Sequence, residues 1–136
     1  DYEFIEDMHF FLLLEVAEKI TVQKSTKNWV KLAIKIALFF LILILFDVPP
    51  EAFDIKPKVT SSFIRLIKKD SLKYDISLKS NFFKIVDLAF TSRRKNIKNN
   101  LQKIGIDWEK INIDPKKRPE EISIEEYINI SKEYNL

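Results

Sequence analysis

The sequence is poor in the residues that build several common kinds of site. It has no cysteine, which excludes a disulfide framework and thiolate metal sites. Its one histidine, His9, lies in an apolar run and is predicted to pack in the core, so no metal site is expected. Gly105 is the only glycine, whereas nucleotide-binding turns and P-loops need several. The chain therefore contains no glycine-rich loop for a nucleotide.

Long apolar segments are also scarce. The one membrane candidate is residues 36–46, IALFFLILILF, which lies between Lys35 and Asp47. As a helix it would span roughly 16 Å, about half of a hydrocarbon core. We expect no membrane span and interpret the segment as a helix end running into a buried strand.

The chain opens with acidic residues and shows no start methionine. No targeting segment is predicted, and we expect the chain to begin within a longer protein.

Length and composition fit one globular domain, or a small domain plus part of another. The chain has 136 residues, of which 46% are hydrophobic and 32% charged. Its net charge of +3 permits contact with nucleic acid but requires clustering of the positive residues to create a binding surface.

The first half of the chain alternates between strand and helix patterns. Residues 9–14 read as a buried strand that turns into a helix, and residues 29–40 keep helical spacing. Residues 41–48 are predicted to form a central strand and residues 59–67 a second one. The connector between them, residues 49–58, is too short for a helical crossover, so the two strands should be antiparallel neighbours. The pattern predicts the end of an α/β sheet.

A polar, irregular stretch at residues 68–78 marks a boundary, and the chain after it is helical. The first of these helices has one broad apolar face: Phe82, Phe83, Val86, Ala89 and Phe90. A second helix is predicted to begin at Asn96 and to end at Gly105. The last helix begins at Ser123, which forms a capping box with Glu126.

The densest positive cluster lies at the junction of two of these helices. It contains Arg93, Arg94, Lys95 and Lys98, and Asn99 adds an amide beside them. Such side chains suit contacts with phosphates and sugars. A merely solvated surface is the alternative, and the cluster taken alone favours it.

The connector at residues 49–58, here called the proline loop, holds one large aromatic residue. Pro49, Pro50 and Pro57 stiffen the loop around Phe53. A rigid aromatic ring beside a pocket can stack on a flipped base. A phenylalanine that plugs the core is more frequent, and the loop taken alone favours that reading. Asp47 ends the preceding strand without a recognisable catalytic partner.

Five stretches of the chain carry a family resemblance. They are DMHFFLLLEVAEKI, TKNWVKLAI, LFDVPPEAFDIKPKVTSSFIRL, FFKIVDLAFTSRRKNIKNNL and RPEEISIEEYINI. In order and spacing they resemble the second half of the ribosomal RNA adenine dimethyltransferases. The resemblance covers nearly all of the chain, and the proline loop and the RRK to NNL segment are its most specific parts.

The resemblance implies an α/β fold, the C-terminal part of a Rossmann-like class I methyltransferase sheet followed by a small all-α domain. Residues 1–69 would end the methyltransferase domain, residues 70–79 would form a linker and residues 80–136 a helical RNA-binding domain. Family members transfer methyl groups from S-adenosylmethionine to N6 of two adjacent adenosines near the 3′ end of small-subunit rRNA. The adenine amine would attack the sulfonium methyl group directly. The residues that bind the cofactor and the catalytic motif would lie upstream of this chain.

The resemblance also assigns roles to residues. Phe53 matches the aromatic residue that packs against the target adenine. The residues expected to bind RNA are Lys58, Arg93, Arg94, Lys95, Lys98 and Asn99. The implied partner is small-subunit rRNA or the small ribosomal subunit, bound by a monomer in the cytosol or in an organelle with its own ribosomes.

Two other hypotheses remain open. One is a non-catalytic RNA- or ribosome-binding protein that retains the helical domain. The other is a small membrane-anchored basic protein built on residues 36–46.

The chain departs from the family's pattern near the expected RNA side. Leu13 and Leu14 stand where a Gln-Lys pair is usual, and residues 30–33 (VKLA) where Gly-Arg-Leu-Ser is usual. Ser25 replaces a common glycine, and Ile55 stands where a second proline often follows the aromatic residue. These changes remove polar and flexible residues.

Overall fold

A small antiparallel sheet and a set of helices make up the chain. The computed structural model describes residues 5–21, 31–69 and 76–134. The strands are β1 (Asp7–Leu13), β2 (Phe40–Val48) and β3 (Ser61–Lys68), in the spatial order β1–β3–β2. Helices α1 (Leu14–Thr21) and α2 (Lys31–Phe39) pack on one face of the sheet. The predicted α/β arrangement is therefore present.

Strand and helix follow each other without a loop at two places, as the pattern predicted. β1 passes directly into α1, and α2 passes directly into β2. β2 and β3 pair antiparallel, which confirms the argument from the short connector. Trp29, where the predicted helix begins, lies outside the described residues.

Two predictions for the sheet are wrong. β2 lies at an edge of the sheet in the described chain, and β3 is the central strand. β2 is rich in apolar residues because both of its faces are apolar. Its composition does not mean that a strand pairs with it on each side. His9 does not pack in the core: it is exposed, and its ring stacks on Phe63 with centroids 5.6 Å apart. The side-chain alternation of β1 turns His9 away from the helices.

Among the described residues, four α-helices follow the sheet: α3 (Ile76–Ala89), α4 (Ile97–Asn100), α5 (Trp108–Ile111) and α6 (Ile124–Glu133). α3 begins inside the range predicted as a linker, while residues 70–75 lie outside the described part. The division of the chain into two domains stays a prediction.

The helix caps follow the sequence signals. The Asn96 side chain accepts a hydrogen bond from the Asn99 N–H at 2.8 Å. The Ser123 and Glu126 capping box is present at the start of α6. The helix predicted from Asn96 to Gly105 is interrupted at Leu101, where the backbone leaves helical geometry, and a 3-10 turn at Gln102–Ile104 completes it. Gly105 has a φ of 62°, the left-handed conformation that glycine adopts without steric cost.

One hydrophobic core joins the sheet to the helices. Fully buried members come from both parts: Ile34 of α2, Ile64 of β3, Phe82, Ile85 and Val86 of α3, and Tyr127 and Ile130 of α6. α2 contacts both α3 and α6. The helical part therefore packs on the helices of the sheet rather than standing apart from it.

The opposite face of the sheet, here called the outer face, carries exposed aromatic side chains. Phe63 of β3 lies at its centre, with ring centroids 4.6 Å from Phe11 and 5.1 Å from Phe46. Phe11 is 58% exposed and Phe46 is 53% exposed. A contiguous apolar patch of this kind is unusual on the surface of a soluble monomer.

None of the helices within residues 5–21, 31–69 and 76–134 is long and apolar enough to cross a membrane. The apolar run at residues 36–46 is divided between the last turn of α2 and most of β2.

The 136-residue chain on its own should aggregate, because it exposes the outer face and leaves β1 and β2 as edge strands. Phe11→Lys with Phe46→Lys should raise its soluble fraction, measured by analytical ultracentrifugation. Ile55→Lys is the matched control, since Ile55 is an isolated loop residue that is 92% exposed. A soluble monomer of the unaltered chain with one sharp cooperative melt would contradict this expectation.

Candidate nucleic-acid interface

Phe53 lies on the proline loop, outside the hydrophobic core. A 3-10 turn at Pro50–Ala52 precedes it, and the Phe53 N–H donates to the Pro50 carbonyl at 3.2 Å. Its side chain is half-buried, and it is absent from the core cluster and from the residues packed against it. The reading that the loop alone favoured, a core plug, does not hold. The ring is instead held by its backbone at the surface.

Both ends of the loop are fixed to the sheet. Asp47 and Ser62 pair across β2 and β3, and the Ser62 hydroxyl donates to Asp47 Oδ1 at 2.6 Å. The Leu14 N–H donates to the Thr60 carbonyl at 3.0 Å, which joins the start of α1 to the chain just beyond the loop. The sequence suggested no partner for Asp47. In the structure its bond to Ser62 joins β2 to β3 where the proline loop begins.

An open cavity of about 320 Å³ adjoins the chain that follows the loop. Its lining consists of Leu13, Leu14, Glu15, Glu18, Val59 and Thr60. Leu13 and Leu14, the two leucines named above as departures from the family's pattern, thus lie at this cavity beside the polar side chains of Glu15, Glu18 and Thr60.

The predicted basic cluster is exposed on the turn between α3 and α4 and on α4 itself. Arg93, Arg94, Lys95, Lys98 and Asn99 all have exposed side chains. The Asn100 side chain braces this turn by donating to the Ser92 carbonyl at 3.0 Å and, more weakly, to the Lys95 carbonyl at 3.4 Å. The turn is thereby held in one shape while its cations face solvent.

A second basic segment, which the sequence did not reveal as part of the site, lies against the first. The Ile97 N–H donates to the Lys117 carbonyl at 2.7 Å, and the Lys98 N–H donates to the Pro115 carbonyl at 3.3 Å. This brings the exposed side chains of Lys116 and Arg118 next to the start of α4. The positive charge of the run DPKKRP is visible in the sequence. Only the fold shows that this run lies against the segment that follows the turn carrying Arg93.

We call the combined set of six exposed cations the basic surface: Arg93, Arg94, Lys95, Lys98, Lys116 and Arg118. The first N–H groups of α4 are already bonded to the carbonyls of the second segment and to Asn96. An anion at this surface would therefore be bound by side chains and not by the helix terminus.

Lys117 turns away from the basic surface and fixes the second segment to α6. Its Nζ lies 2.7 Å from Glu126 Oε1. Burial opposes ionisation of Glu126, but the hydrogen bonds from Lys117 and Ser123 and the charge of Lys117 outweigh it and lower the Glu126 pKa.

The buried Tyr127 hydroxyl completes this attachment by donating to the Pro119 carbonyl at 2.8 Å. Burial, with smaller effects of Glu120 and Glu126, raises the Tyr127 pKa well above its ordinary value. The phenol therefore stays protonated and remains a donor.

The structure groups the predicted site residues into two places. Arg93, Arg94, Lys95, Lys98 and Asn99 lie together, whereas Phe53 and Lys58 belong to the proline loop. Lys58 is exposed at the end of that loop. The two places are connected through the packed pair of helices α2 and α3.

The sequence of this chain offers no glycine-rich turn for S-adenosylmethionine. The single glycine caps a 3-10 turn in the helical part, so no glycine-rich turn follows any strand of the sheet. Within the described ranges, no group of three His, Asp or Glu side chains could hold a metal ion.

The chain is similar in sequence to curated proteins that share one name. Ribosomal RNA small subunit methyltransferase A of Legionella pneumophila (strain Corby) is 40% identical over 131 residues, which cover 94% of this chain and 51% of the relative. The protein of the same name from Saccharophagus degradans is 36% identical over 131 residues, covering 95% and 49% of the two chains. The chain spans about half the length of the curated relatives it matches.

Two solved structures share the fold. A dimethyladenosine transferase from Plasmodium falciparum superposes with a TM-score of 0.79 at 16% identity, over 96% of this chain and 57% of that one. The 23S rRNA methyltransferase ErmE gives a TM-score of 0.72 at 18% identity, over 98% and 57%. The chain thus has the fold of part of an α/β methyltransferase with its helical extension. The ribosomal RNA adenine dimethylase family matches residues 1–136, and the chain belongs to that family.

The Lys117–Glu126 pair should make stability depend on pH. Because the native Glu126 pKa lies below its unfolded value, the pair stabilises the native protein above the ordinary Glu range, near 4.5, and this contribution is lost as the pH falls through the native pKa. Glu126→Gln keeps a capping acceptor but removes the charge, so its stability should fall less between about pH 7 and pH 3.

Denaturant unfolding of the native protein at a series of pH values measures this difference, which should stay below about 1 kcal/mol because Lys117 is partly exposed. Glu125→Gln at the exposed neighbouring position is the control. Identical pH profiles for the unaltered protein and Glu126→Gln would show that the pair contributes nothing.

Proposed function

We propose that this chain is the C-terminal part of an S-adenosylmethionine-dependent rRNA adenine-N6,N6-dimethyltransferase. Its substrates would be two adjacent adenosines near the 3′ end of small-subunit rRNA. The protein would act as a monomer in the cytosol or in an organelle with its own ribosomes. The cofactor would be held by residues outside this chain, and the roles left to this chain are to orient the adenine and to hold the RNA.

The observation that carries the proposal is the state of Phe53. Its ring is half-buried, lies outside the core and belongs to a loop whose two ends are bonded to the sheet. Among the described residues, no other aromatic ring packs against it. A ring held in this way can form one wall of a base pocket, because stacking on an extruded base requires a positioned aromatic face.

The basic surface supplies the second role. Its six cations come from two segments that backbone hydrogen bonds hold together. Arginine and lysine at such positions bind phosphates without reading the sequence, so they fix the register of the RNA while the base pocket selects the adenosine. Binding through this surface should weaken as salt increases, with a slope on a logarithmic scale of roughly 0.7 to 0.9 per phosphate neutralised.

A non-catalytic RNA-binding protein is the competing function, and the apolar cavity lining at Leu13 and Leu14 is the observation that favours it. The two functions differ in methyl transfer and not in RNA affinity. The variants below are therefore measured for both.

Phe53→Ala in the full-length protein should reduce methyl transfer at least tenfold while the Kd for rRNA changes by less than about threefold, because a lost stacking wall affects the extruded base more than the bound duplex. Methyl transfer is measured as N6,N6-dimethyladenosine in digested rRNA by mass spectrometry. Phe53→Tyr is the control and should retain most activity. Equal losses of binding and methylation in Phe53→Ala would contradict this role.

Arg94→Ala should have the opposite profile. Removing one phosphate contact should weaken rRNA binding several-fold and reduce the salt slope by about one unit. Lys132→Ala, which removes an exposed cation in the last turn of α6, is the matched control and should leave the slope unchanged. The assignment of Arg94 is wrong if the two variants bind alike at every salt concentration.

A further inference from the structure

Helices α2 and α3 meet along two ladders of side chains that complement each other. Lys31, Lys35 and Phe39 follow one another at intervals of four along α2, and Lys79, Phe83 and Asp87 do so along α3. Side chains four apart share one face of a helix. The two ladders run in opposite directions, so the lysine end of α2 meets the aspartate end of α3.

Side chains of the two ladders contact each other at successive turns of the helices. Lys35 Nζ donates to both carboxylate oxygens of Asp87, at 2.8 and 2.9 Å, and Lys31 Nζ lies 3.0 Å from Asp87 Oδ1. One turn along, Lys35 Nζ is 5.2 Å from the centre of the Phe83 ring. We call Lys31, Lys35 and Asp87 the Asp87 clamp.

Aromatic contacts continue the ladder beyond the clamp. The rings of Phe39 and Phe83 lie 5.7 Å apart, and Lys79 Nζ is 5.8 Å from the Phe39 ring. These contacts and the clamp form one continuous seam between the two helices.

The Asp87 clamp contributes little to the stability of the fold, but it helps to set the register of α2 on α3. Its side chains are 25 to 50% exposed, and pairs of that kind stabilise a fold by less than about 1 kcal/mol. The close-packed apolar core beneath it supplies most of the stability of the contact between the helices. The Asp87 carboxylate between two ammonium groups adds a polar contact that a displacement of one helix along the other would break. The lowered pKa of Asp87, due first to the hydrogen bond from Lys35, agrees with a carboxylate that stays ionised in this position.

The two helices lead to the two halves of the candidate site. α2 passes directly into β2, which ends at the proline loop and Phe53. α3 ends at Ala89, and Arg93 opens the basic surface four residues later. The register of α2 on α3 therefore fixes where the basic surface lies relative to Phe53.

We infer that Lys31, Lys35 and Asp87 are positioning residues that hold the basic surface in register with the Phe53 loop, so that rRNA bound by one presents its adenosine to the other. This inference rests on the proposed function of the two halves. The α2–α3 contact would orient the bound rRNA for methyl transfer and would not change the affinity of the protein for rRNA.

The test uses the full-length protein and a charge exchange. Asp87→Lys places three cations together and should open the contact, whereas Asp87→Asn weakens it mildly and guards against a folding defect in the first variant. Lys31→Glu with Lys35→Glu and Asp87→Lys restores opposite charges in the reversed order. Lys84→Glu, at an exposed position of α3, is a control for a change of charge on that helix.

Asp87→Lys should lower kcat at saturating small subunits by roughly three- to tenfold, because a small misplacement of the reacting groups slows a positioned reaction. The Kd for rRNA should stay within about twofold of the unaltered protein, since no side chain of the basic surface is changed. The charge exchange should restore kcat. A kcat that stays normal in Asp87→Lys, or stays low in the charge exchange, would overturn the inference.

A second readout is independent of catalysis. Spin labels on cysteines introduced at Glu18 and Lys103, both exposed, report the distance between the sheet side and the helical side by pulsed electron paramagnetic resonance. The described chain has no cysteine of its own to interfere, and any elsewhere in the full-length protein is replaced. The distance distribution should broaden in Asp87→Lys and narrow again in the charge exchange.

The two readouts separate failure of the inference from failure of the proposed function. If the unaltered protein transfers no methyl groups, the proposed function fails, and the spin-label distances then decide on the clamp alone. An unchanged distribution in Asp87→Lys overturns the clamp, and a reversible broadening supports it.

Discussion

The pairing of β3 with both other strands is the constraint on which the rest of this structure depends. β3 is hydrogen-bonded to β1 on one side and β2 on the other, and its buried side chains Ile64 and Leu66 carry the core. Since β2 and β3 are joined only by the proline loop, their register fixes where that loop can lie. The position of Phe53 follows from strand pairing, and not from burial of its own ring.

The helical part depends on the sheet through α2. This helix contacts α3 and α6, and its buried residues belong to the same core as theirs. The segment that carries Lys116 and Arg118 is attached to α6 by Lys117 and Tyr127 and to α4 by backbone hydrogen bonds. Although Phe53 and Arg93, the first residue of the basic surface, are 40 residues apart in sequence, they are thus parts of one packed body.

Local signals in the sequence predicted local structure well. The cap at Asn96, the capping box at Ser123, the left-handed Gly105 and the antiparallel β2–β3 pair all follow from short patterns whose physics is local. The predictions of a buried His9 and a central β2 were wrong. Apolar composition shows neither which face of a strand is covered nor how many strands pair with it. The return of Lys116 and Arg118 to the Arg93 turn and the Lys35–Asp87 pair join residues distant in sequence, so no window of the sequence could show them. The role proposed for Phe53 comes from the family resemblance, and the loop alone did not favour it.

The most direct test of the central claim is the reaction itself. Full-length protein is incubated with S-adenosylmethionine and small subunits whose rRNA lacks the modification, and the digested rRNA is examined by mass spectrometry. The appearance of N6,N6-dimethyladenosine at two adjacent positions, lost in Phe53→Ala while the subunits are still bound, is the predicted result. Salt-sensitive binding of the subunits without any methylated adenosine would contradict the claim and identify a protein that binds rRNA without modifying it.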